Sequence, residues 1–174
     1  MNKTMTLLGI CCVLILFALS YIPSAHSPVD VISYWSTISS FDAQEVIKVG
    51  DQSFESRVIF VKPDEITRED YINGSLAQKI TIKNGTQKVM TANGTFTLNS
   101  TINDINALDP FVAILNNLES FNVTWERGIL LLKPKTEGMP TYEVELNGKL
   151  PGRITIKQAG LTIVVEYRMI EVTK

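Results

Sequence analysis

Four Asn-Gly dipeptides, at Asn73, Asn84, Asn93 and Asn147, punctuate a chain whose apolar residues recur every second position. Asn-Gly tolerates the positive φ angles of tight two-residue turns, so each one between alternating segments predicts a β-hairpin. Ala159-Gly160 closes a further turn. Leu76, Gln78, Ile80 and Ile82 alternate with Ala77, Lys79, Thr81 and Lys83, and the same period recurs at Tyr142–Leu146 and Ile154–Ile156. Such alternation belongs to an antiparallel sheet with one dry face and one wet face. Ile129 to Leu132 is apolar throughout, which predicts a strand covered on both sides. The run from Leu161 to Val172 alternates through Met169 and slips at Ile170, the mark of a bulge or bend.

Two segments break the period of two. Ser27-Pro28-Val29-Asp30 reads as an N-cap with Pro in the first turn, opening a helix from about Pro28 to Ser39 along Val29, Ile32, Trp35 and Ile38. Asp109-Pro110 caps a second helix whose stripe is Phe111, Ile114, Leu115, Leu118 and Phe121. The expected fold is therefore α+β and mainly β, one domain over residues 28–174 with two short helices on a sheet.

Residues 1–27 read as a signal peptide or an N-terminal membrane anchor, with Lys3 ahead of the apolar run Met5–Ile22 and small residues at Ala25 and Ser27. Either way the chain is expected outside the cytoplasm. Cys11 and Cys12 lie in that run, so the remainder has no cysteine, and its only neighbouring histidine, His26, sits at the boundary. Thiol and Ser-His catalysis and ordinary zinc sites are thereby excluded from residues 28–174. A net charge of −2 with interspersed signs offers no basic stripe for nucleic acid. The densest acidic group, Asp64, Glu65, Glu69 and Asp70, reads as a charged turn and strand face, with paired-acid catalysis or a weak calcium site as its rival. No enzyme and no cofactor or metal is expected.

Asn-X-Ser/Thr sequons begin at Asn73, Asn84, Asn93, Asn99 and Asn122, and three of them coincide with predicted hairpin tips where an oligosaccharide would be accessible. The same dipeptides also serve simply as turn formers.

Several strings, in order along the chain, resemble the periplasmic lipoprotein-carrier family (LolA and its relatives). They are Ile38-Ser39-Ser40-Phe41-Asp42-Ala43, Phe60-Val61-Lys62-Pro63-Asp64, Ile80–Gly85, Asp109-Pro110-Phe111 and Leu131-Leu132-Lys133-Pro134-Lys135. The resemblance implies an unclosed antiparallel β-barrel of about 10–11 strands, covered by the two helices and holding acyl chains. It implies as partners a lipid or acylated protein and a membrane surface or membrane-bound donor and acceptor proteins. Trp35, Ile38, Ile114, Leu115, Leu118, Trp125, Leu131 and Tyr142 are then the expected cargo-lining residues. Lys62 stands where the family places a latching Arg, and it lacks the planar fork of that residue. The sequons suit a glycosylating, archaeal-type surface rather than a bacterial periplasm. The rival expectation is a glycosylated surface or filament subunit, in which the long C-terminal strand donates an edge to a neighbour.

Overall fold

The computed structural model describes residues 27–174. The leader reading, with Lys3, Cys11, Cys12 and His26, lies outside the described residues. Eleven strands form one antiparallel sheet in the order β6-β5-β4-β3-β2-β1-β11-β10-β9-β8-β7. They are β1 (Ser40–Val49), β2 (Gln52–Val61), β3 (Glu65–Ile72), β4 (Ser75–Lys83), β5 (Thr86–Thr91), β6 (Gly94–Asn99), β7 (Phe121–Glu126), β8 (Ile129–Pro134), β9 (Thr141–Asn147), β10 (Leu150–Gln158) and β11 (Leu161–Thr173). The sheet does not close, because β6 and β7 stand at opposite edges. The unclosed, mainly β architecture is the one expected.

The turns form for the reason the dipeptides suggest. Asn73 and Asn84 take φ of 50° and 51°, each followed by a Gly at positive φ. Ala159-Gly160 does the same, as does Arg127-Gly128, a hairpin the sequence reading missed. The Asn93 and Asn147 dipeptides sit one residue out of phase: Thr91 pairs with Gly94, and Asn147 with Leu150.

Three short helices cover the sheet, not two: α1 (Pro28–Ser36), α2 (Ile102–Asn106) and α3 (Pro110–Asn116). α1 opens as expected, with Ser27 Oγ accepting from Asp30 N at 3.1 Å, but ends before Ser39. α2 was not foreseen. It is a single turn started by Thr101, whose N and Oγ1 both donate to Asp104 Oδ2. α3 is shorter than its stripe implied. Asn117 Nδ2 donates to Ala113 O at 2.8 Å and ends the helix. Leu118–Ser120 then makes one 3₁₀ turn, and Phe121 begins β7.

One sheet face is lined by a continuous core. Paired residues face the same way, so Phe41, Ala43 and Ile47 of β1 share that inner face with Phe60, Val58 and Phe54 of β2 and with Val172, Ile170 and Val165 of β11. The bulge in β11 falls at Arg168, where Gln44 pairs with Met169 and Glu45 with Tyr167. Arg168 and Met169 both point outward as a result. β8 is buried on both sides as expected: Leu130, Leu131 and Leu132 are all covered. β11 lies between β1 and β10, both edges paired, so it cannot donate an edge to a neighbour.

α1 anchors one end of this core. Trp35 is fully buried, meets the Phe111 ring edge-on at 5.2 Å and donates Nε1–H to Lys149 O at 2.7 Å. Trp35→Ala is expected to cost about 3–5 kcal/mol, as large aromatic truncations in packed cores do. Urea unfolding of the variant beside the parent checks this, and a loss below about 1 kcal/mol would mean that α1 is dispensable to the core.

Candidate functional site: a cavity beside a buried polar row

The inner face is not uniformly apolar. The register aligns Tyr167, Glu45, Ser56, Asp70, Gln78 and Thr91 into one row across β11, β1, β2, β3, β4 and β5. Buried polar groups are stable only when their hydrogen bonds are met. Ser56 Oγ donates to Asp70 Oδ1, and Gln78 Nε2 donates to Asp70 Oδ2 at 2.6 Å.

Arg68 ties this row to the helices. Its guanidinium donates to Asp70 Oδ1 at 2.7 Å, to Ser56 Oγ at 3.3 Å and to the carbonyl of Leu108 between α2 and α3. It also lies 4.0 Å from Glu45 Oε1 and 6.0 Å above the Phe54 ring. Burial pushes the Asp70 carboxyl up, but the bonds from Gln78 and Ser56 and the Arg68 charge outweigh it and hold it below the usual range.

Asp109 fixes the start of α3. Its Oδ1 accepts from Val112 N at 2.8 Å and its Oδ2 from Tyr167 Oη–H at 2.9 Å. Glu45, only 1 % exposed, accepts no hydrogen bond among the described residues and faces Asp109. Burial first, then the Asp109 charge, pushes the Glu45 carboxyl well up.

Beside this row, beneath α2 and α3, lies a cavity of about 540 Å³. Ile47, Val49, Phe54, Ile156, Ile163, Val165 and Tyr142 line it from the sheet, and Leu108, Pro110 and Ala113 from the helix side. Arg68, Asn103, Asn106 and Asn117 supply its polar rim. Of the residues expected from sequence to line a cavity, Tyr142 does so. Trp35, Ile38, Ile114 and Leu115 are packed into the core, and Leu118 rests against it half-buried. Leu131 is buried in the outward register of β8, paired with Glu143, and Trp125 is 37 % exposed near the β7 edge. The lining is made instead where α3 presents Pro110 and Ala113, too small to fill the space.

Lys62 is half-buried, and burial pulls its ammonium down. No ion pair joins it to a helix among the described residues; the arginine that reaches the helices is Arg68. The acidic group is largely paired: Glu65 with Lys83, Glu69 with Lys79 and Asp70 with Arg68. Among the described residues, no three metal-ligating side chains converge. All five sequon asparagines are exposed.

No family model matches this chain, and no curated protein matches it by sequence. Solved structures do align. One is the complex of MucA with MucB from Pseudomonas aeruginosa, at TM-score 0.49 and 11 % identity over 84 % of this chain and 56 % of that one. LprF from Mycobacterium bovis aligns at 0.43 and 9 % identity, over 84 % and 94 % of the two chains. A putative outer membrane lipoprotein-sorting protein domain from Vibrio parahaemolyticus aligns at 0.42 and 6 %, over 84 % and 91 %. The chain spans little more than half the length of the MucB chain that it matches.

The Glu45 carboxyl has a raised pKa in the fold, whereas in the unfolded chain it ionises near 4.5. Its contribution to stability is therefore fully present below that value and is lost as pH rises from there toward the folded pKa. Glu45→Gln is expected to raise the thermal midpoint at pH 7, with the gap to the parent closing toward pH 4. An equal gap at both pH values would show that Glu45 is not held neutral.

Proposed function

We propose that this protein is an exported binder of acyl-chain ligands, a carrier or sensor for lipids or acylated proteins at the extracytoplasmic face of a membrane. The observation that carries this reading is the cavity under α2 and α3, largely apolar in its lining. Its volume falls in the range of about 300–1,000 Å³ typical of small-molecule sites. Each buried CH₂ is worth roughly 0.8 kcal/mol, so a largely apolar space of this kind is what an acyl chain needs to cross water. Export rests on the leader-like N-terminal sequence. The donors and acceptors implied are a membrane surface or membrane-bound proteins, and no catalytic step is invoked, since the buried acid Asp109 is engaged in capping α3.

The glycan reading fits the same location. Asn73 and Asn93 sit at or beside hairpin turns at one end of the β3–β6 wing, and Asn84 and Asn99 at the other, where Thr86 pairs with Asn99. A rival role as a structural subunit has one observation in its favour. Phe96 and Leu98 of edge strand β6 are 55 % and 56 % exposed.

Mass spectrometry of an organic extract from the purified protein is expected to find a stoichiometric lipid. Ala113→Phe, which fills the cavity from α3, is expected to weaken binding of a fluorescent fatty-acid analogue about tenfold with the thermal midpoint unchanged. Lipid-free parent protein that also ignores the probe would sink the carrier reading in favour of the structural subunit. A charge at Leu115, by contrast, would test the core, because that side chain is packed rather than lining. Protein from its native host is expected to lose mass on enzymatic deglycosylation, and an unchanged mass would show the sequons to be turn formers only.

A further inference from the structure

The β1–β6 meander ends on a strand that, among the described residues, is bonded on one side only. Open edges are ordinarily guarded by lysine, proline or a bulge. β6 has none of these: Gly94-Thr95-Phe96-Thr97-Leu98-Asn99 carries no charge and pairs with β5 without a register shift. Phe96 and Leu98 continue the inner-face rows of Arg68–Ile80–Val89 and Ile66–Ile82–Gln87. Both are nonetheless more than half exposed, because no further strand flanks them.

We propose that β6 is a homodimerisation edge, pairing antiparallel with β6 of a second copy about a two-fold axis at Thr97. The inference is independent of what the cavity binds.

The backbone selects that register. Ser100 N donates to Gly85 O, so by alternation Leu98 and Phe96 also turn their amides toward β5. Thr95, Thr97 and Asn99 turn theirs to the open edge. An axis at Thr97 sets Thr97 against itself and Thr95 against Asn99 of the copy, so every outward amide finds a partner. An axis at Phe96 would set Asn99 against the turn at Ala92-Asn93 instead. The Thr97 register also places Phe96 against Leu98 of the copy, twice over, on the inner face.

Electrostatics does not oppose the pairing. Lys88 pairs with Thr97 one strand in, so the two copies of Lys88 stand three strand spacings apart, about 14 Å. That exceeds the Debye length of about 8 Å at physiological salt. The other open edge, β7, is a poorer partner. Lys135 N donates to Ser120 O, so Phe121, Val123 and Trp125 turn their amides outward, and their side chains lie on the inner face. The edge-bonding residues of β6 lie on the outer face. Antiparallel bonding of β6 to β7 would therefore set one inner face beside an outer face, whereas β6 with its own copy keeps both inner faces on one side. A single strand pair is a small contact beside the about 1,200–2,000 Å² of stable complexes, so the dimer is reversible. Asn99 falls within the seam, so pairing requires its sequon to be bare.

The test uses the full chain produced without glycosylation and carrying Cys11→Ser and Cys12→Ser. Sedimentation velocity is expected to show a monomer–dimer equilibrium in the micromolar range. Thr97→Lys, at an exposed position, is expected to raise the dissociation constant at least about tenfold with circular dichroism unchanged. Thr97→Cys is expected to give a disulfide-linked dimer on mild oxidation, because Cα atoms facing each other in a bonded pair lie about 5.5 Å apart. Thr95→Cys is expected to give none, since its two copies are offset by about 13 Å along the strands. A parent that stays monomeric at about 1 mM overturns the proposal, as does a dimer that Thr97→Lys leaves intact. Cross-linking at Thr95 as readily as at Thr97, or at neither, overturns the axis at Thr97.

Discussion

A carboxylate taken out of water must be met by donors or by a proton, and that requirement organises the inner face of this sheet. Asp109 is met on one side by the first turn of α3 and on the other by Tyr167. The acid therefore decides where α3 begins and how far it stands from β11. Arg68 makes the matching connection from β3 to the Leu108 carbonyl just before that helix. Between them, the two side chains hold the α2–α3 segment across the sheet at a height that the apolar residues alone do not fill. The cavity is what remains beneath it.

Much of the fold was legible because its signals are local. Asn73-Gly74 and Asn84-Gly85 dictate their turns through backbone sterics, and the period of two at Ile80–Ile82 or Ile154–Ile156 dictates which face is dry. The Ser27 and Asp109 caps marked helix starts correctly. Helix ends were harder. Leu118 and Phe121 continue the α3 stripe at the right spacing, yet the Asn117 side chain takes the Ala113 carbonyl and the chain turns into β7. α2 left only the Thr101–Asp104 capping pair as a signal, with Ile102 and Ile105 too few to establish a period.

The cavity was hidden for a different reason. Hydrophobic periodicity reports which side chains leave water and says nothing about which of them leave space. It drew attention to Trp35, Ile114 and Leu115, the residues that fill the core. The space lies where Ala107, Pro110 and Ala113 are small, and small residues carry no periodic mark. The polar row was equally hidden in plain sight. Gln78 stood in the inward phase of its strand, but its partners Asp70, Ser56 and Glu45 come from three other strands, and only pairing registers bring them into line.

The strand order carries a kinetic consequence. β1 to β6 form one meander and β7 to β11 another, each built from neighbours in sequence, and the two meet only through β1 and β11. That seam joins Ser40 to Thr173, nearly the full described length apart, at the centre of the sheet. Two locally formed halves thus wait on a single loop closure of high contact order, which puts the molecule among slow folders. Until the seam zips, the strands that will be innermost are exposed edges, the most adhesive surface a β-protein can show. Any carbohydrate carried by the sequons of the β3–β6 half would act earliest as a chaperone of assembly, keeping half-built molecules apart while β1 finds β11.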